Sequence, residues 1–336
     1  MAANDRAALP TAGPPAADDT PTTRRAALDG SLRCVLDDRG LLAFSGADAT
    51  EFLHSQFSTD VRGMAPGAST LTSYSDARGR LLMVGRLHAT PERFLLELPA
   101  DRLEPVRQQL RKYVLRAAVS IDDVSGEIAR FGAAGQSAAV ALHAVTGALP
   151  EAPGTSSAGL HSIRLAGPRP RWLFLGEPTA VRAAWEALGD HAATGSPEAW
   201  RLLDIAAGIP TVREATAGRF VAQMLNLDLL GGVDFRKGCY PGQEVIARTH
   251  YLGRIKRRMR LLHAAHAGIA PAPGSGILSG DSTIGEVVDA ALHPDGGADL
   301  LAVIRTEAVG PFTLGDEPGI EAEPRELPYA VDEVAA

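Results

Sequence analysis

The stretch Gly231-Gly232-Val233-Asp234-Phe235-Arg236-Lys237-Gly238-Cys239-Tyr240-Pro241-Gly242-Gln243-Glu244-Val245-Ile246-Ala247-Arg248 decides how this chain is read, because hydrophobic periodicity does not explain it. Its eight positions from Lys237 to Glu244 hold a lysine, two glycines, a cysteine, a glutamine and a glutamate. Gly238 and Gly242 permit a tight turn and a close backbone approach to a ligand. Gln243 and Glu244 offer planar hydrogen-bonding groups, and Val245-Ile246-Ala247 give the segment an apolar anchor. Cys239, beside Arg236 and Lys237, has the electropositive setting in which a thiol gains thiolate character. A buried structural cysteine in a glycine-rich turn is the competing reading.

Upstream, Gln223 and Asn226 lie on a polar stretch before the double glycine; such amides either read the edge of a heterocycle or satisfy loop backbone. Pro197 to Ala207 predicts a helix ended by Gly208 and Pro210, with Trp200 near its start either stacking on an aromatic ligand or filling core. Closer to the N-terminus the pattern alternates strand and helix. Leu32–Leu36 and Gly40–Phe44 read as two strands about an Asp37-Asp38-Arg39-Gly40 turn, and Asp48 with Glu51 reads as a capping box. Leu71–Ser75 and Arg80–Ala89 predict a hairpin around Asp76-Ala77-Arg78-Gly79, where Asp76 either contacts ligand or makes an Asx turn. Arg93–Leu98 continues that sheet, and Asp101 is placed to cap a helix running to about Arg116. A looser copy follows, with strands at Glu127–Gly132, Leu160–Leu165 and Trp172–Gly176 and helices at Ser137–Thr146 and Pro178–Leu188. Gly147–Ser157 is a connector.

Beyond Tyr251 the sequence becomes all-β. Arg258–His263, Gly276–Ser279, Ile284–Ala290, Leu300–Thr306 and Gly319–Ala322 fit a small barrel or sandwich. Arg254, Lys256, Arg258 and Arg260 alternate at period two, as an anion-binding or merely solvated strand face. The expected division is a disordered tail at 1–28, a composite domain at 29–250, a barrel at 251–325 and a loose acidic tail at 326–336.

Composition narrows the class. With 45% hydrophobic and 22% charged residues the chain can build a core without staples. The net charge of −7 makes a general nucleic-acid binder unexpected, so an anion site would be local. Cys34 and Cys239, the two cysteines, form neither a disulfide framework nor a metal-ligand spacing. Met1–Arg25 lacks the apolar core of a signal peptide, and no run approaches the roughly 18 apolar residues of a membrane span. These features lead to an expectation of a cytoplasmic protein without a membrane partner and without a bound metal.

The segment from Phe220-Val221-Ala222-Gln223-Met224-Leu225-Asn226-Leu227 through Gly231–Arg248 resembles the signature of the YgfZ family, which is related to the glycine-cleavage T-protein, an aminomethyltransferase. The resemblance extends to Trp200–Pro210, to Gly46-Ala47-Asp48, to Gln56–Val61 and to Tyr74–Arg80, and so covers about Ser31 to Pro324. It implies an α+β fold in which two ferredoxin-like units form a ring completed by a C-terminal β-barrel, with tetrahydrofolate or a one-carbon derivative in the central cavity. It implies support for the assembly or repair of iron–sulfur enzymes, including those that thiolate tRNA, with Cys239 as the key thiol. The folate-contacting set is then Trp200, Asp76, Gln223, Asn226, Lys237, Gly238, Tyr240, Gly242, Gln243, Glu244 and Arg248, with folate, transient iron–sulfur client enzymes and tRNA as partners.

Two departures bear on the class. The aminomethyltransferases carry acids after their Gly-Gly hairpin and in a Leu-Glu-Ala-Gly stretch; this chain has Leu81-Leu82-Met83-Val84 and Ile205-Ala206-Ala207-Gly208. Without that acid/base partner, conventional group transfer is disfavoured, though a folate-dependent transferase remains the alternative enzyme. An RNA-binding factor using Arg254–Arg260 is a third reading. Arg39 stands where the family has a second tryptophan.

Overall fold

The computed structural model describes residues 18–147, 149, 155–157, 159–315 and 319–331. The first part of the chain runs α1 (Pro21–Leu28), β1 (Leu32–Val35), β2 (Arg39–Ser45), α2 (Ala49–Gln56), β3 (Ser69–Ser75), β4 (Leu81–Ala89), β5 (Phe94–Pro99), α3 (Ala100–Arg111) and β6 (Ser120–Asp123). The second runs β7 (Ala129–Ala134), α4 (Gln136–Thr146), β8 (Thr155–Ser157), β9 (Leu160–Arg164), β10 (Arg171–Gly176), α5 (Pro178–Leu188), β11 (Ala193–Gly195) and α6 (Pro197–Ala206). After a long irregular stretch come α7 (Gln243–Leu252) and β12 (Arg257–Ala264), β13 (Gly276–Ser279), β14 (Ser282–Leu292), β15 (Ala298–Arg305), β16 (Phe312–Leu314) and β17 (Glu321–Arg325).

Two open sheets, ordered β3-β4-β5-β2-β6 and β11-β1-β7-β10-β9-β8, face one another, and the last six strands close into a barrel. Alternation along the strands sends one set of side chains to the helices and the other to the facing sheet. Thus Leu42, Phe44 and Leu96 pack on Phe52 and Leu53 of α2 and Leu103 of α3. Leu41, Ala43 and Leu95 instead meet Leu32, Cys34, Ile163 and Leu173 between the sheets. Cys34 is therefore core, and burial pushes its thiol pKa well up.

Several expectations are corrected. β1 and β2 form no hairpin: β1 pairs with β7 and β11, and β2 with β5 and β6. The Asp37-Asp38 turn carries the chain from one sheet to the other. The capping box at Asp48 does not form, since its carboxylate accepts from the Ala118 N–H at 2.7 Å instead. Asp101 likewise accepts from the Glu214 N–H, and α3 ends at Arg111. Order begins before Asp29, because α1 is a helix with Thr20 as its cap, Pro21 in its first turn and Ala27 buried; residues 1–17 lie outside those described. The connector at Gly147–Ser157 ends in a strand, β8, paired with β9, with part of it outside the described residues.

The tail after Pro324 is also not loose as far as residue 331. The Tyr329 hydroxyl donates to the Gly208 carbonyl at 2.9 Å, and a Cβ on Gly208 would sit 2.6 Å from the Tyr329 ring. Burial raises the Tyr329 hydroxyl pKa to about 12. Among the described residues no helix is long and apolar enough to cross a membrane.

Candidate functional site

The loop before α7 is docked on two supports. Ser58, just after α2, donates to the Gly232 carbonyl at 2.6 Å, and the Asp234 N–H donates to the Ser58 carbonyl at 2.8 Å. Lys237 then turns inward, its Nζ donating to the carbonyls of His54 and Phe57 at the end of α2. A cation there answers the unpaired carbonyls and the negative end of the helix dipole. The ammonium also lies 4.8 Å from the centre of the Tyr240 ring. Burial dominates its titration and draws its pKa down to about 8.

Tyr240 is buried in the core beside Ile246, and its hydroxyl has no hydrogen-bond partner among the described residues. Burial holds its pKa up at about 12. Gly242 starts α7 with φ +79°, against the β3–β4 turn that Asp76 and Gly79 form. Gln243 closes the loop with a long 3.4 Å contact from its amide to the Lys237 carbonyl. Gly238 and Cys239 are left exposed at the crown, with Glu244 and Arg248 exposed along α7. Lys237 is engaged by carbonyl oxygens rather than facing outward as a partner for the thiol.

The other amide and acid candidates are taken up by the protein. Gln223 donates to the Ile246 carbonyl at 2.6 Å, leaving its Oε1 buried without a partner. Asn226, at φ 57°, donates to the Met259 carbonyl at 3.0 Å and to the Tyr329 hydroxyl at 3.3 Å. Asp76 accepts from the backbone N–H groups of Arg78 and Arg80, which is the Asx-turn alternative. The four basic residues do not form one strand face, although Arg254, Arg258 and Arg260 border a common cavity of about 1000 Å³. Arg254 and Lys256 precede β12, Arg258 is buried against Asp228 at 2.7 Å, and Arg260 donates to the Thr306 and Ala308 carbonyls.

Trp200 lies elsewhere. It is 2% exposed between the sheets, and a Cβ on Gly132 would stand 2.4 Å from its indole, so it fills core. It borders a cavity of about 40 Å³ whose lining also includes Arg39, Val84, Arg86, Glu97 and Asp204, and none of residues 237–248. Asp204 accepts from Arg39 at 2.6 Å and from the buried Arg171 at 2.7 Å. Burial alone would raise its pKa, but Arg171 and Arg39 outweigh burial and hold it below the ordinary value. Arg86 makes no hydrogen bond or ion pair among the described residues, and burial draws its pKa down to about 10. Glu97, directly across from Arg86 in the β4–β5 pairing, keeps Oε1 without a partner. Sequence reasoning missed Arg86 and Glu97; the available signal was a charge at the inward parity of two otherwise apolar strands.

No family model matches the chain. It is 30% identical over 309 residues to the tRNA-modifying protein YgfZ of Klebsiella pneumoniae, covering 89% of this chain and 93% of that protein. The chain belongs to the YgfZ family. A second YgfZ, from Edwardsiella ictaluri, is 31% identical, with 89% of this chain and 92% of that protein covered. This YgfZ-family chain also shares its fold with the glycine cleavage system aminomethyltransferase T of Bartonella henselae, at a TM-score of 0.72 over 91% of this chain and 89% of that one. At 17% identity that likeness speaks for the fold, including the β-barrel, and not for the reaction.

Proposed function

We propose that this YgfZ-family protein binds a tetrahydrofolate and acts in tRNA modification by sustaining iron–sulfur enzymes, with Cys239 as its working thiol. The observation that carries this reading is the presentation of Cys239. The loop is clamped on both sides by Lys237 and Gly242, yet leaves the cysteine exposed. A merely structural cysteine would be buried, as Cys34 is. The names of the relatives supply the tRNA context.

The cavity between the sheets has a donor set suited to a folate. Arg86 is available to a carboxylate or a ring carbonyl, and Glu97 to the N–H edge of a pterin. Its 40 Å³ is far below the several hundred of a small-molecule pocket, so binding has to open it. Val84 borders this cavity, and the only carboxylate that α6 brings to it, Asp204, is already held by two arginines. Neither position thus supplies the free acid of an aminomethyltransferase, and the one carboxylate of the cavity not held by arginines is Glu97, on β5.

The test is complementation of a deletion strain, reading tRNA thiolation and the activity of an iron–sulfur enzyme. Wild type should restore both and Cys239→Ala neither. Full restoration by Cys239→Ala would end the proposal.

A further inference from the structure

His54 occupies the last turn of α2, beneath the crown of the loop. Its side chain is 7% exposed, its Nδ1 is 3.0 Å from Asp60 Oδ1, and its Nε2 is buried without a hydrogen-bond partner among the described residues. The Asp60 contact is close in distance but off the ideal hydrogen-bond direction, as apo catalytic contacts often are. An imidazole nitrogen buried in this way is costly unless something else meets it. Nε2 faces Gly238: a Cβ there would sit 3.2 Å from Nε2 and, its two chain neighbours aside, within 4 Å of no other described residue. The glycine thus leaves a slot over Nε2, and the next residue along the chain is Cys239.

From this we infer that His54 is the proton acceptor for the Cys239 thiol, with Asp60 as the residue that orients it. Cys239, one residue beyond the slot, is exposed, and the transfer requires its Sγ to turn toward Nε2. The Sγ–H proton passes to Nε2, the electron pair stays on sulfur as thiolate, and the imidazolium lies beside Asp60, whose carboxylate also pairs with Arg62 at 2.9 Å. This is the nucleophile, base and orienting acid of a thiol site.

Burial and then the neighbouring Lys237 ammonium keep the His54 pKa below its ordinary value, so the ring rests neutral with Nε2 open to a proton, although both effects weaken it as a base. Arg62 acts in the same sense, while Asp60 and Glu51 favour the imidazolium once it forms. A helix-capping histidine would instead be charged and turned to the last carbonyls, and here Lys237 fills that place.

The inference rests on Cys239 being the working thiol, but its test is independent of the cellular role. The full-length protein is treated with iodoacetamide at neutral pH, and alkylation of Cys239 is followed by mass spectrometry. The S–C bond forms, iodide leaves, and the proton on His54 goes to solvent. Cys34, which is buried, serves as the internal slow thiol. His54→Gln should slow alkylation on the order of tenfold, and Asp60→Asn several-fold. Imidazole in solution should accelerate His54→Ala more than wild type, which a purely structural role would not produce. If His54→Gln fails to fold, Asp60→Asn, on a partly exposed side chain, decides the matter. Wild-type rates in the variants, or no selective rescue by imidazole, would overturn the inference while leaving the complementation result untouched.

Discussion

Gly242 meets Gly79 so closely that a Cβ added to Gly242 would stand 2.5 Å from the Gly79 Cα and 2.6 Å from the Asp76 carbonyl oxygen. The loop that presents Cys239 is thereby locked onto the β3–β4 hairpin by backbone against backbone. No side chain can be accommodated there by rotamer change, because the obstructing atoms are main-chain atoms.

Gly242→Ala should therefore be far more damaging than its backbone angle alone implies. Gly218 provides the comparison, with φ +78° and nothing within 4 Å of its added Cβ. Gly218→Ala should cost about 1 kcal/mol from backbone strain. Gly242→Ala, at φ +79°, adds the clash and should exceed that by at least about 2 kcal/mol in urea denaturation. Equal losses would show that the two loops do not depend on this contact.

Lys237 makes stability depend on alkaline pH. Its folded pKa of about 8 lies below its ordinary value of 10.5. Between those values the unfolded chain retains a proton that the folded chain has released, so this residue's contribution rises with pH across the window. Relative to Lys237→Met, wild type should gain as much as about 3 kcal/mol between neutral pH and the upper end of the window. Comparing the two proteins removes the opposing effect of Tyr240, whose raised pKa acts at still higher pH. A pH-independent difference would mean that the ammonium stays charged on its carbonyl partners.

What the sequence disclosed depended on how local each determinant is. α5 was legible at both ends because Pro178 suits a first turn and Gly189 ends the helix, and Gly276–Ser279 was bounded by its own turns. The Cys239 loop stood out because its composition fits no periodic element. The sheet membership of β1 was not legible, since two adjacent strands around an acidic turn look the same whether they pair or part. Residues Pro21–Leu28 were lost in an Ala- and Thr-rich tail, where Thr20 is the sole cap and the buried face is Ala27. Arg86 and Glu97 gain their setting only from the second sheet, which covers them in the fold and has no local signature in the sequence. Of the two readings of Trp200, ligand stacking or core, the fold favours core, with the indole between the sheets beside the small cavity.

Asp204 holds the two sheets together electrostatically. It takes one bond from Arg39 on β2 and one from Arg171 on β10, which belong to opposite sheets. Asp204→Asn leaves two guanidinium groups without their counter-charge and should cost about 3–5 kcal/mol at neutral pH. Because the folded pKa of Asp204 is depressed, its stabilisation is complete above the unfolded value of 3.8 and is lost as pH falls through the folded one. The gap between wild type and variant should accordingly close in strong acid. A neutral-pH loss under about 1 kcal/mol would contradict this account.

Arg86 joins the cavity to the proposed ligand. The half-buried Arg86 guanidinium makes no hydrogen bond or ion pair among the described residues, and a carboxylate or carbonyl of a bound folate would engage it. Arg86→Met keeps the length of the side chain and removes the charge. Tetrahydrofolate affinity should then fall on the order of ten- to a hundredfold, the worth of a charged hydrogen bond. The unfolding temperature of the ligand-free protein should fall modestly, since the attraction of Arg86 to Glu97 and Asp204 is lost but no hydrogen bond. Added tetrahydrofolate should raise the unfolding temperature of wild type and raise that of the variant less. Unchanged affinity in Arg86→Met, with the expected loss instead in a variant of the Cys239 loop, would move the folate out of the inter-sheet cavity and onto the loop.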